Sequence, residues 1–250
     1  MTSVQFFQVP IGEQPGEHIA FRHLDHASHK PTLVFLPGYM SDMDGGKATA
    51  LLEWAAQQSI GCLLLDYSGC GQSCGDFADG TLSKWRDEVL ALIQARGIDN
   101  VVLIGSSMGG WLMLMIALAL GPRLSGIVGI ASAPDFTDWG RSDADKEKLD
   151  AGETIFDDNP YGPEPTPMYA EFWKDGQANR LLTSEIAIDC PVRLLHGERD
   201  TDVPHRISLE IAKRLRSDDV QVTLIKDGDH RLSRDSDITL MLSQVQNLLD

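Results

Sequence analysis

The residues best suited to chemistry are Gly105-Ser106-Ser107-Met108-Gly109, which follow the apolar run Val101-Val102-Leu103-Ile104 and open a long apolar stretch. A serine between a strand and a helix on so tight a turn takes a strained backbone, and the flanking glycines avoid the Cβ collisions that would otherwise forbid it. Such a turn lifts the Ser107 hydroxyl above a sheet at a helix N-terminus, where the helix dipole favours negative charge. Ser107 is the candidate nucleophile; Ser106, off the central position, is expected to pack or hydrogen-bond.

A serine hydroxyl attacks a carbonyl at neutral pH only when an imidazole takes its proton, and that imidazole needs a carboxylate to orient it. Among the later histidines, His230 in Asp227-Gly228-Asp229-His230 lies between the last expected strand and the last expected helix. Chain order of serine, acid and histidine favours it, with His205 in reserve and His196 ending a strand. The run His196-Gly197-Glu198-Arg199-Asp200-Thr201-Asp202-Val203-Pro204 offers the acid, Asp200 first and Asp202 second. Two backbone N–H groups must hold the oxyanion. Met108, after the nucleophile, is one donor; the turn Pro37-Gly38-Tyr39-Met40 supplies the other, Tyr39 in preference to Met40. The loop Asp66-Tyr67-Ser68-Gly69-Cys70-Gly71-Gln72-Ser73 is read as structural, the floor of the site. No matched base follows Cys70 as a rival nucleophile, and the glycines lack the Lys-Ser/Thr ending of a phosphate loop.

These residues require elements to position them. Short Val-, Ile- and Leu-rich runs at residues 32–36, 62–66, 101–105, 126–131, 192–196 and 221–225 read as strands covered on both faces. Between them, residues 47–58, 82–96, 110–120, 206–216 and 236–249 carry apolar side chains at helical spacing. Residues 18–24 are expected to form an antiparallel edge strand with a neighbour near residues 6–9. The pattern is an α/β fold with a mostly parallel central sheet flanked by helices. Residues 135–188 break the rhythm with charges and with Pro160, Pro163, Pro165 and Pro167. They read as a small helical cap inserted after the sixth strand of one domain spanning residues 1–250. Its aromatics Phe136, Trp139, Phe156 and Tyr161, with Tyr169, Phe172 and Trp173, either wall an acyl pocket or pack the cap onto the core. Met40, Trp139 and Trp173 are the expected substrate contacts.

Composition narrows the function. With 21 Lys and Arg against 37 Asp and Glu, the net charge is −16, a surface that repels phosphate backbones and anionic lipid heads. Nucleic acid is therefore not an expected partner. The longest apolar run, residues 111–120, is about half of what a membrane span needs. The four cysteines lack the spacing of a zinc site or a disulfide framework and read as free thiols. The first residues lack the marks of a secretory or transit signal, so a cytoplasmic location is expected, or the mitochondrial matrix for a processed form.

Taken in this order, from about residue 32 to the C-terminus, the motifs resemble those of α/β-hydrolase fold serine hydrolases. More specifically, Gly105-Ser106-Ser107-Met108-Gly109-Gly110-Trp111-Leu112-Met113-Leu114, Cys190-Pro191-Val192-Arg193-Leu194-Leu195-His196-Gly197 and Gly228-Asp229-His230-Arg231 resemble the mitochondrial palmitoyl-protein thioesterases, also described as acyl-glucuronide esterases. The resemblance implies hydrolysis of thioesters on S-acylated cysteines, of carboxylic esters and of acyl glucuronides such as that of mycophenolic acid. Its Ser-His-Asp triad carries over onto Ser107, His230 and Asp200. The chain departs from that family in its cap and in lacking a mitochondrial presequence, which suits a bacterial-type cytoplasmic relative. Substrates would be a small-molecule ester or an S-acylated protein, and no metal or organic cofactor is required. The rival readings are a carbon–carbon hydrolase or peptidase of the same fold, and a non-catalytic hydrolase-like binding protein.

Overall fold

The computed structural model describes residues 2–11, 14–26, 30–159 and 162–250. The chain opens with β1 (Gln5–Ile11) and β2 (Gln14–Leu24), then alternates β3 (Thr32–Leu36), α1 (Gly46–Gln58), β4 (Cys62–Leu65), α2 (Leu82–Ala95), β5 (Val101–Ser106), α3 (Met108–Leu120) and β6 (Leu124–Ile130). A long excursion carries α4 (Asp143–Asp150), β7 (Ile155–Asp157), β8 (Thr166–Met168) and α5 (Ala170–Ala178). The chain then returns through β9 (Val192–Gly197), α6 (Arg206–Arg214), β10 (Val220–Ile225) and α7 (Asp235–Asn247).

The main sheet has the order β1-β2-β4-β3-β5-β6-β9-β10, antiparallel at β1 and β2 and parallel beyond. Period-two alternation sorts its side chains into two cores. Val34, Leu36, Val101 and Leu103 face the layer of α2, α3 and α6, with Trp85, Trp111 and Ile211. Leu33, Phe35, Val102 and Ile104 face α1 and α7, with Leu51, Ala55, Met241 and Val245. Apolar residues on consecutive strand positions are what a sheet covered on both faces demands. The α3 helix is buried at every position but Leu118 and Ala119, so its apolar run fills the interior beneath the site.

Three expectations are corrected. Residues 18–24 are not an edge: β2 lies between β1 and β4, because Phe21 to Leu24 pair with β4 while His18 to Phe21 pair with β1. The covered strand expected at residues 221–225 is the far edge, and no β10 side chain is fully buried. The helix expected over residues 206–216 ends at Arg214, where buried Leu215 turns extended and bridges Ile186.

In the stretch expected to hold helices alone, β7 and β8 form an antiparallel hairpin beside α4 and α5. The two ends of this stretch are fastened at one residue. The buried Asp135 carboxylate accepts the Leu181 and Leu182 N–H groups at 2.8 and 2.9 Å, and the Trp111 indole donates to the Asn179 carbonyl at 3.1 Å. Donors on both oxygens supply what a buried carboxylate needs.

Candidate active site

Parallel strands end together, so the loops after β3, β5, β9 and β10 meet at the carboxyl edge of the sheet, the usual place for a site in an open α/β fold. Ser107 sits between β5 and α3 with φ 56° and ψ −120°, a conformation L-residues avoid. The elbow holds it there: its N–H donates to the Ile130 carbonyl at 2.9 Å, and its own carbonyl accepts the N–H groups of Gly110 and Ala133 at 2.8 and 3.0 Å. The flanking glycines are obligatory. A Cβ on Gly105 would run into the Gly109 carbonyl, and one on Gly109 into the carbonyls of Leu36 and Pro37.

His230 Nε2 lies 3.0 Å from Ser107 Oγ, and its Nδ1 lies 2.9 Å from Asp200 Oδ2. Asp200 is fixed from the other side, where Oδ1 accepts the N–H groups of Asp202 and Val203 at 2.9 and 2.8 Å. Burial alone would favour the neutral acid. The His196 and His230 side chains and the Val203 N–H outweigh it and hold the carboxyl well below the ordinary carboxylate range. The His230 loop is braced as well: Leu232 is buried and donates its N–H to Asp229, and the Lys47 ammonium hydrogen-bonds the Arg231 carbonyl. Burial, with the Arg231 charge next, holds the Lys47 pKa below that of a free lysine.

Across from the histidine, Gly38 to Ser41 form a turn closed by the Ser41 N–H on the Gly38 carbonyl at 3.2 Å, with Met40 at φ 54°. Gly38 packs against Ser107, since a Cβ there would reach the Ser107 Cβ at 3.4 Å. As the first residue of α3, Met108 has no partner for its N–H within the helix. The Tyr39 side chain, which sequence gave no reason to single out, reaches the Pro167 carbonyl of β8 at 2.8 Å and packs on Phe77 and Phe172. In the loop expected to form the floor of the site, the Asp66 carboxylate accepts the Met43 and Gln72 N–H groups at 2.7 and 2.8 Å, but none of residues 66–73 lines the cavity.

A cavity of about 880 Å³ opens over Ser107 and His230. Met40, Met108, Phe136 and Trp139 give it apolar surface, while Lys47, Arg141, Asp157 and Arg231 give it charge. Trp173 is not brought to it: the ring is buried and its Nε1 donates to the Thr137 carbonyl at 3.1 Å, so the expected contact is corrected to a packing residue. Phe172 likewise packs among Tyr39, Trp85 and Phe136, and Phe156 points outward. Tyr161 lies outside the described residues. Of the reserve residues, His205 is exposed and Asp202 lends its backbone to Asp200. Cys70 is buried, which with the Asp66 charge pushes its thiol up to about 12.

Two roles were not read from the sequence, where His196 stood only as a histidine ending a strand and Arg141 was not named. His196 is fully buried, with Nε2 2.8 Å from the Val203 carbonyl and 3.1 Å from Asp200 Oδ2. Arg141 enters the cavity wall through a two-point pair with Asp157 at 2.7 and 2.6 Å, a contact between residues with no motif around them. Among the described residues, no group of three or more His, Cys, Asp or Glu side chains could hold a metal ion.

Comparison with known proteins agrees with this architecture. Residues 33–239 match the model of the Alpha/beta hydrolase family. The human protein named palmitoyl-protein thioesterase ABHD10, mitochondrial, is 35% identical over the full chain and 81% of that protein. The crystal structure of a putative hydrolase from Agrobacterium vitis S4 superposes with a TM-score of 0.94 at 36% identity over all of both chains. Alpha/beta hydrolase domain-containing protein 10 from mouse gives 0.88 at 35% identity, covering 99% of this chain and 98% of that one. The chain belongs to the alpha/beta hydrolase family and, within it, to the family of the palmitoyl-protein thioesterase ABHD10.

Proposed function

We propose that this enzyme hydrolyses thioesters and carboxylic esters by transferring the acyl group to Ser107 and then to water. The observation that carries the reading is the relay from Ser107 Oγ through both nitrogens of His230 to Asp200, at 3.0 and 2.9 Å. His230 takes the Ser107 proton as Oγ attacks the carbonyl, and Asp200 holds the ring and balances the imidazolium. The tetrahedral oxyanion rests on the N–H groups of Met108 and Tyr39. His230 returns the proton to the departing thiol or alcohol, leaving an acyl-serine. It then takes a proton from water as the water attacks that ester, and gives it back to Ser107 as the acid leaves.

The cavity volume, about 880 Å³, is that of a small-molecule site and suits an acyl chain against Phe136 and Trp139. Residues 135–188 serve as the cap, since Phe136, Trp139, Arg141 and Met168 share the cavity with Ser107. The relatives named as palmitoyl-protein thioesterases make S-acyl cysteine the first substrate class to try. Those relatives are named as mitochondrial, so they lend no support to a cytoplasmic location.

The test is a panel of p-nitrophenyl esters, acyl-CoA-type thioesters and a vinylogous diketone, run beside fluorophosphonate labelling. Thioesters and esters should turn over, and Ser107→Ala should abolish labelling and lower kcat by about a thousandfold or more. Preference for the diketone would favour carbon–carbon hydrolysis instead. Labelling that persists in Ser107→Ala would remove the nucleophile assignment.

A further inference from the structure

His196 ends β9 with its ring fully buried and clamped at both nitrogens. Nε2 lies 2.8 Å from the Val203 carbonyl and 3.1 Å from Asp200 Oδ2. A carbonyl oxygen only accepts, so Nε2 carries a proton that it gives to Val203, and Asp200 Oδ2 lies against the same N–H at 3.1 Å. On the far side, Nδ1 is 2.7 Å from the hydroxyl of Ser208, itself buried in the first turns of α6. A strand end and a helix start thus fix one ring, with its donor against the carboxylate oxygen that also holds His230.

We infer that His196 is a positioning residue that steadies Asp200 Oδ2 toward His230 and shares the charge on that oxygen. This role rests on reading Ser107, His230 and Asp200 as a working triad. A carboxylate has about four acceptor positions. Here Oδ1 takes the N–H groups of Asp202 and Val203, and Oδ2 takes His230 and lies 3.1 Å from the His196 N–H, so each position faces a donor. Without the His196 donor, Oδ2 faces His230 alone. Its undivided charge then attracts the imidazolium more strongly, while Oδ1 stays anchored by the backbone. Other charges near the pair are Asp202 beside Asp200, Asp229 and Arg231 flanking His230, and Lys47 on the Arg231 carbonyl from α1. The polar contacts of His196 are with Val203, Asp200 and Ser208.

The experiment compares wild type with His196→Phe, which keeps a ring but has no donor, and His196→Gln, whose amide can present an N–H near the same place. Rates on p-nitrophenyl butyrate are measured across pH. His196→Phe should lower kcat about tenfold with KM unchanged, as loss of an outer hydrogen-bond partner does at other sites. The acid limb of kcat/KM should move up by about half a pH unit, because protonated His230 is better stabilised. His196→Gln should restore most of both. Should His196→Phe fail to fold by circular dichroism, Ser208→Ala takes its place and should move the limb the same way by less. An unmoved or lowered limb, with activity tracking the folded fraction, overturns the role. Wild-type labelling by fluorophosphonate separates the two readings: unlabelled Ser107 removes the triad and His196 with it, whereas labelled Ser107 with an unmoved limb removes only His196.

Discussion

At Asp200 two effects oppose each other: burial favours the neutral acid, while two imidazoles and two backbone N–H groups favour the anion and prevail. A carboxyl whose folded pKa lies below its unfolded one adds stability that is complete above the unfolded value. That stability is lost as pH falls through the folded value. Asp200→Asn cannot titrate, so it should melt below wild type at pH 7, and the gap should narrow once pH falls below about 4, the unfolded Asp value. Thermal melts at pH 7 and pH 3 check this, and a gap that does not narrow would show that the ionised form adds nothing to the fold. Ser107, Asp200 and His230 were legible because each follows a strand in a loop whose residue types have a chemical reason. The tie from His196 to Ser208 was not, since it depends on how α6 packs against the end of β9. Trp173 misled for a related reason: Phe172 and Trp173 are adjacent and both buried, and aromatic identity alone does not separate a packing ring from a cavity wall.

Elements meet at the site through a few backbone contacts, and these set what can change. The elbow packs so closely under the β3 loop that a methyl at Gly109 meets the carbonyls of Leu36 and Pro37, which are backbone and cannot swing aside. Gly109→Ala should cost about 3 kcal/mol or more, seen as a lower urea midpoint, with esterase activity lost even in the folded fraction. The Gly38–Ser41 turn is tied to the β7–β8 hairpin by the Tyr39 hydroxyl on the Pro167 carbonyl. Tyr39→Phe keeps the ring against Phe77 and Phe172 and removes only that bond, so stability should fall by about 1 kcal/mol. KM for long-chain esters should rise while kcat holds, because the loosened hairpin lines the cavity over Ser107 and the Tyr39 N–H remains. A fall in kcat alone would point instead to the turn. The inner strands and the five covering helices were legible from apolar spacing, whose periods of two and 3.6 are set by backbone geometry. The position of β2 inside the sheet and of β10 at its edge was not, because strand order is a matter of pairing partners.

The molecule as a whole carries a net charge of −16, and the cavity wall sets Lys47, Arg141 and Arg231 among the carboxylates Asp42, Asp157, Asp158 and Asp202. At long range an approaching substrate meets the total charge; at contact it meets the walls. Salt separates the two, since the screening length falls from about 30 Å at 0.01 M to about 8 Å at 0.15 M. An acyl-CoA thioester, with its phosphates, should be repelled during approach, and kcat/KM should rise several-fold as ionic strength increases over that range. The same acyl group on N-acetylcysteamine, which is neutral, should give kcat/KM independent of salt. Because KM reflects the encounter more than the chemical step, the gain for the CoA ester should appear in KM, with kcat constant. Should kcat/KM for the CoA ester instead fall with salt, Lys47, Arg141 and Arg231 would outweigh both the carboxylates of the cavity and the rest of the surface, and anionic leaving groups would be drawn to this site despite the net charge.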